Sequence, residues 1–300
     1  MSASGSIKVT IGDVSFDNPV FLASGPAGYG EEYADFVDLQ RLGGIVTKTV
    51  TYEPKAGNPG TRLQETRGGL LNSVGLENVG AGVFFGEKLP GLLDNGIRPI
   101  VSLAAEDWDG YRRLLDAAAG AGEIDIVELN LSCPNVDRGG MAVGTDPRMI
   151  SRYVGHAKDI LSGTAVIAKL TPNVQDIGRL ALAAEEAGAD AITAINTIVG
   201  MDIDIHAKRP VFKRIRAGLS GPAIFPVALE AVWRIVNTVD IPVIGVGGID
   251  SVDDALKFFM AGAAAVQVGT AIFYDSRLPE KIITELEKNG IPASINRGGA

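Results

Sequence analysis

Eight short apolar runs recur along the chain, spaced so that a helix fits between most neighbours: PVFLAS (19–24), GIVTKTV (44–50), PIVSLA (99–104), DIVELNLS (125–132), AVIAKLT (165–171), DAITAIN (190–196), PVIGVGG (242–248) and AAVQVGT (264–270). Most are continuous rather than alternating, the pattern of parallel strands buried on both faces. Amphipathic stretches fill the gaps. DPRMISRYVGHAKDILSG carries Pro147 near its start and Gly163 just past its end, the usual punctuation of a helix. VQDIGRLALAAEEAG ends at Gly188, and PVALEAVWRIVNTV, SVDDALKFFMAG and PEKIITELEKNG follow. Strands alternating with helices eight times predict an α/β fold, a (β/α)8 TIM barrel. The alternative, an open doubly wound sheet, needs a G-x-G-x-x-G after its first strand, and SGPAGYG does not supply one. IKVTIGDVSFDN, ahead of the first barrel strand, predicts a small N-terminal β-hairpin that caps the barrel bottom. No linker, low-complexity tract or charge block interrupts the pattern, so residues 1–300 read as a single domain.

Composition narrows the function classes. Hydrophobic residues make up 46% and charged residues 21% of 300, enough for a large core and a soluble surface. MSASGSIKVT lacks a signal pattern, and no apolar run is long enough to span a bilayer, so no membrane is expected. The single cysteine, Cys133, cannot form an internal disulfide, which fits a reducing cytoplasmic setting. A net charge of −9 argues against nucleic acid as a partner. His156 and His206 lack any Cys, His or carboxylate cluster at metal spacing. They read as surface histidines, with neither a metal site nor a Ser-His-Asp triad.

In a barrel, chemistry sits at the C-terminal ends of the strands. Those ends hold Ser24; Lys48 and Thr49; Asn130, Ser132, Cys133 and Asn135; Lys169; Asn196 and Thr197; Gly247 and Gly248; and Gly269 and Thr270. The connection after the second strand adds GGLLNSVGLENVG with Asn72. Glycines after the last two strands bare backbone N–H groups, which suits a phosphate, although glycine also serves tight turns. Lys48 and Lys169 point into the mouth, and a buried lysine is costly unless paired; an anionic ligand would pair it. Either lysine could instead snorkel to solvent. Asn72, Asn130, Asn135 and Asn196 would converge on one space, and their amides suit a ring with alternating N–H and C=O edges. Each could also be a turn residue, Asn135 after Pro134 above all. A lone cysteine is more often an inert core residue, but the position of Cys133 directly after a strand argues for the site. PNVDRGGMAVGTD, which follows it, is expected to form a lid loop after the fourth strand.

ELNLSCPN, KTVTYEPKAGNPGTRLQET, LLNSVGLENVG, AKLTPNV, INTIVGMDID, LSGPAIFPVAL and GVGGIDSVDDAL, in this order, resemble dihydroorotate dehydrogenase over nearly the whole chain. The similarity is greatest to the class 1B catalytic subunit, the two-subunit form that passes electrons to NAD. The resemblance implies an FMN-containing barrel that oxidises (S)-dihydroorotate to orotate in pyrimidine biosynthesis. It implies Cys133 as the general base. It implies substrate held by Lys48, Asn72, Ser73, Val74, Gly75, Leu76, Asn130, Asn135, Asn196 and Thr197. It implies flavin held by Ser24, Lys48, Thr49, Asn130, Lys169, Ile195, Gly221, Gly247, Gly248, Gly269 and Thr270. A homodimer and an electron-transfer subunit with FAD and an iron–sulfur cluster are implied as partners.

The pattern is not followed everywhere. Ser102 stands where relatives place an asparagine beside the flavin, and Val74 where many have methionine. Ser102 is retained as a flavin-side candidate, since a serine still donates one hydrogen bond. Other readings are a fumarate-linked class 1A-type enzyme, a dihydropyrimidine dehydrogenase-like enzyme, a tRNA dihydrouridine synthase, or a flavin-binding protein without turnover. Lys48 argues against the uracil-type substrate, which has no carboxylate, and the acidic charge against tRNA.

Overall fold

The computed structural model describes residues 6–122, 124–132 and 143–295. An antiparallel hairpin comes first, β1 (Val9–Ile11) and β2 (Val14–Phe16), paired Val9 to Phe16. The barrel strands β3 (Val20–Leu22) and β4 (Gly44–Val46) follow. Two antiparallel strands, β5 (Leu63–Thr66) and β6 (Gly69–Asn72), stand apart from the barrel. Barrel strands β7 (Pro99–Leu103), β8 (Ile126–Asn130), β9 (Ala165–Leu170) and β10 (Ala191–Ala194) come next. The chain then forms β11 (Ile198–Gly200), β12 (Ile203–Asp204), β13 (Arg209–Pro210) and β14 (Ala217–Ser220). Barrel strands β15 (Val243–Val246) and β16 (Ala265–Val268) complete the ring. The eight barrel strands pair in parallel in chain order, and β16 closes on β3 through Val266 to Val20. This is the expected (β/α)8 barrel.

Helices pack outside the ring: α1 (Gly80–Val83), α2 (Leu89–Asp94), α3 (Trp108–Ala121), α4 (Pro147–Ile160), α5 (Ile177–Glu186), α6 (Phe225–Val236), α7 (Val252–Met260) and α8 (Leu278–Asn289). Side chains of Asp107, Asp146, Asp176 and Ser251 accept from first-turn amides of α3, α4, α5 and α7, satisfying donors that a helix leaves bare. All five helices expected from the amphipathic stretches are present. His206 is exposed, whereas His156 on α4 is only partly exposed, with its ring 4.9 Å from that of Trp108.

The hairpin caps the barrel bottom as expected. Ile11 and Phe16 are buried with Phe21, Val46, Ile100, Ile126, Ile167, Ala191 and Ile244, which lie on seven of the barrel strands. Phe16 and Phe21 meet edge to face at 4.9 Å. The Ile11→Val substitution removes one methylene from this plug, and a fall of about 0.5–1.5 kcal/mol in unfolding free energy is expected by urea denaturation. A value near zero would mean that the plug does not pack as a core.

The apolar runs overshoot the strands by a few residues at the C-terminal side, because the chain leaves the ladder there to build the mouth. One feature was not foreseen. Strands β11, β14, β6 and β5 form a second, antiparallel sheet, with Asn72 of β6 opposite Gly218 of β14. Any side chain at Gly218 would collide with Thr197, whose Oγ1 lies 2.2 Å from where a Cβ would sit. That glycine lets the sheet approach the mouth at the end of β10.

Candidate active site

The polar groups stand in three levels, from the barrel interior to the sheet above its mouth. In the interior, four strands each contribute one polar side chain. Glu128 on β8 is fully buried. Its Oε1 accepts from Lys169 Nζ of β9 at 3.1 Å. Its Oε2 accepts from Thr193 Oγ1 of β10 at 2.9 Å and from Gln267 Nε2 of β16 at 2.8 Å. Lys169 is 6% exposed, so its charge is compensated from within the protein and not by a ligand alone. The expectation of an anionic ligand as its partner did not include Glu128.

One level higher, hydroxyls and amides form a connected chain. Ser24 Oγ donates to Thr47 O at 2.8 Å and lies 3.2 Å from Thr49 Oγ1. Thr49 Oγ1 lies 2.9 Å from Ser102 Oγ and 3.4 Å from Asn130 Nδ2. Asn196 Nδ2 donates to Asn130 Oδ1 at 3.2 Å, and Asn196 Oδ1 accepts from the amide of Thr197 at 2.8 Å. Ser24, Thr49, Ser102, Asn130, Asn196 and Thr197 are thus brought together. Ser102 has no accessible surface and stands behind Thr49. Asn72 joins from above, its Nδ2 donating to Gly218 O at 3.2 Å beside Thr197.

The third level is the connection after β4. Ser73 accepts from Asn58 Nδ2 through both its carbonyl and its hydroxyl, and Val74 O accepts from Asn58 N at 2.8 Å. Gly75 and Leu76 both have positive φ, 79° and 56°, so the segment turns sharply there. Lys48 Nζ contacts Glu77 Oε2 at 3.2 Å, and Arg62 Nη1 contacts Glu77 Oε1 at 2.7 Å. The Arg62 guanidinium first, and Lys48 second, hold the Glu77 carboxyl below its usual range. Lys48 therefore also has a partner within the chain, which sequence reasoning missed.

A separate cluster lies at the ends of β14, β15 and β16. Thr270 Oγ1 donates to Ser220 Oγ at 2.9 Å. Gly221, Gly247 and Gly248 have φ of 92°, 129° and 76°. A Cβ would lie 2.8 Å from Gly69 Cα at Gly221, and 2.6 Å from the Phe225 amide nitrogen at Gly248. Gly248 thereby lies against the start of the twelve-residue helix α6. Gly269 precedes the short turn of 3-10 helix Thr270–Phe273. Ile195, 2% exposed, packs against Gly247.

Cys133, Asn135 and residues 134–142 of the expected lid lie outside the described residues, and the rest of that segment is a 3-10 turn, Val143–Thr145, and Asp146, which caps α4. Ser132, just before Cys133, has a buried hydroxyl without a hydrogen-bond partner among the described residues. The missed residues are Glu128, Thr193 and Gln267 below, and Arg62 and Glu77 above. Glu128 was findable: it stands two residues before Asn130 in ELNLSCPN, so it shares that residue's inward face.

A family profile described as dihydroorotate dehydrogenase matches residues 6–289. The chain belongs to the dihydroorotate dehydrogenase family. It is an enzyme of that family, a flavin-dependent oxidoreductase. Among similar proteins is the "dihydroorotate dehydrogenase B (NAD(+)), catalytic subunit" of Geotalea daltonii, 46% identical over 293 residues, covering 96% of each chain. The protein of the same description from Thermoanaerobacter pseudethanolicus is 46% identical over 283 residues, covering 94% of this chain and 93% of that one. A crystal structure of DHODH from Eimeria tenella in complex with ferulenol shares the fold, with TM-score 0.76 and 22% identity over 97% of this chain and 87% of that one. The donor set of this dihydroorotate dehydrogenase family member suits a flavin. The Asn130 and Asn196 amides and the Ser24 and Thr49 hydroxyls stand at the mouth, Lys169 lies below them, and a bare-backbone cradle beside a helix start suits the cofactor's phosphate. Among the described residues, no group of side chains could hold a metal ion, and no helix is long and apolar enough to cross a membrane.

Proposed function

We propose that the chain oxidises (S)-dihydroorotate to orotate on FMN and passes the electrons to NAD through a second subunit. The observation that carries this reading is the Asn130–Asn196–Thr197 chain, with Asn72 above it and Thr49, the residue after Lys48, against Asn130. A cation there reads a carboxylate, and amides read the alternating donors and acceptors of a pyrimidine ring. Ser73, Val74, Gly75, Leu76 and Asn135 complete the substrate set. Ser24, Lys48, Thr49, Asn130, Lys169, Ile195, Gly221, Gly247, Gly248, Gly269 and Thr270 hold the flavin. Ser102 acts through Thr49 by fixing its hydroxyl.

Cys133 is the base that takes the proton from C5 of the substrate. A thiol titrates near about 8.5 unperturbed, so its ionised fraction is useful at mildly alkaline pH. The flavin, when bound, supplies the acceptor for the hydride leaving C6. The asparagines orient the ring for proton loss at C5, and the segment PNVDRGGMAVGTD (134–146), read from the sequence as a lid, would exclude water from the transition state.

With one cysteine, the chain cannot hold an iron–sulfur cluster on its own thiolates. With NAD as the final acceptor, a second subunit, carrying the FAD and iron–sulfur cluster that the class 1B resemblance implies, supplies the relay. We place the enzyme in the cytoplasm, as a single-domain barrel that pairs as a homodimer.

The deciding experiment is anaerobic. Dihydroorotate is expected to bleach the flavin colour, and dihydrouracil is not. The Lys48→Met variant is expected to raise the dihydroorotate concentration needed for half-maximal reduction by at least about tenfold, the cost of a lost charge-assisted contact. Bleaching by dihydrouracil instead would reassign the substrate to an uncharged pyrimidine.

A further inference from the structure

Glu77 stands where a ligand carboxylate is needed. Its Oε2 sits 3.2 Å from Lys48 Nζ, and the ion pair is open to solvent, with side chains 27% and 42% exposed. The other oxygen is held at 2.7 Å by Arg62. Arg62 is itself fixed, since Nε donates to Asn58 O and Nη2 to Ala56 O, both at 2.8 Å. Asn58 also ties down Ser73 and Val74. The carboxylate is thus docked on a rigid guanidinium, and the flexible partner is the lysine.

We infer that Glu77 is a specificity-determining residue, an internal carboxylate that occupies Lys48 until an acid substrate takes the lysine over. This rests on the substrate reading above. The exchange trades one carboxylate for another at the same ammonium, and Arg62 keeps Glu77 compensated after Lys48 leaves. Neither charge is stranded, so the exchange has a low electrostatic cost. An uncharged ligand cannot displace Glu77 from Lys48, and the pocket then presents it with an intact ion pair. Glu77 also contributes a negative charge near the bound product, which weakens its hold and favours release.

The test is calorimetric titration of the flavin-loaded protein with orotate and with its neutral carboxamide. Glu77→Gln is expected to bind orotate about two- to fivefold more tightly than the parent, the worth of a half-exposed ion pair. The gain is expected to shrink in high salt, as screening requires. Binding of the carboxamide is expected to stay unchanged. Glu77→Asp keeps the charge on Arg62 but withdraws it from Lys48, and a smaller gain of the same sign is expected. Equal or weaker orotate binding in Glu77→Gln overturns the proposal, as does an equal change for the carboxamide. Absence of orotate binding in the parent protein overturns the substrate reading instead, which separates the two failures.

Discussion

Cys133→Ala is expected to retain its flavin and to reduce it with dihydroorotate about 10²–10⁴-fold more slowly than the parent, the usual worth of a positioned general base. The hydrogen at C5 is a weak acid, and the electron pair released when it is removed forms the C5–C6 double bond as hydride leaves C6. Alanine removes the proton acceptor while the mouth residues that bind ring and flavin stay in place. Anaerobic stopped-flow absorbance reads the step directly. Reoxidation of the reduced variant by an artificial oxidant is expected to be unchanged, because that half-reaction needs no base at C5. The parent adds a second reading, since the thiolate is the base form. Its reduction rate is expected to rise with pH towards the range near about 8.5 where thiols ionise. An unchanged rate in Cys133→Ala removes the residue from the mechanism, and a pH-independent parent rate removes it as the titrating group.

Lys169→Met is expected to lower the unfolding free energy of flavin-free protein by about 3–5 kcal/mol, the cost of breaking a buried ion pair by deleting one partner. Glu128 has no exposed surface, and after the substitution its carboxylate keeps Thr193 and Gln267 as donors but has no counter-charge. Methionine fills much of the lysine stem's volume, so the loss is electrostatic rather than a cavity effect. The double variant Glu128→Gln/Lys169→Met is expected to recover at least half of the loss, because an amide needs no counter-ion. Urea denaturation of the parent, both single variants and the double variant gives the coupling directly. Additive effects would show that the two side chains do not act as a unit. The lysine also belongs to the proposed flavin set, so flavin content is expected to fall in both variants that lack it.

Much of this was legible in the chain. The eight barrel strands came from continuous apolar runs, a local signal that parallel strands buried on both faces must carry. The hairpin under the barrel came from the short β-rich segment before the first run, and its packing on Phe21 and Ile100 bears it out. Asn130, Asn196, Thr197, Ser24 and Thr49 were found by taking only strand ends, and they do meet. That step works because in a barrel the position of a residue along its strand fixes its height.

What pairs with what at one height was not legible. The sequence showed two lysines that needed anions, and it was silent on their partners. Lys169 meets Glu128 because β8 and β9 run side by side with Asn130 opposite Lys169, which places residue 128 one inward step below. Thr193 and Gln267 join from strands 65 and 139 residues away. The sheet above the mouth joins segments 146 residues apart, and it brings Asn72 to Thr197. Local periodicity determined the strands, the barrel and the height of each functional side chain. Strand register and the approach of distant segments decided the charge pairing, because those depend on which neighbours the closed barrel sets side by side.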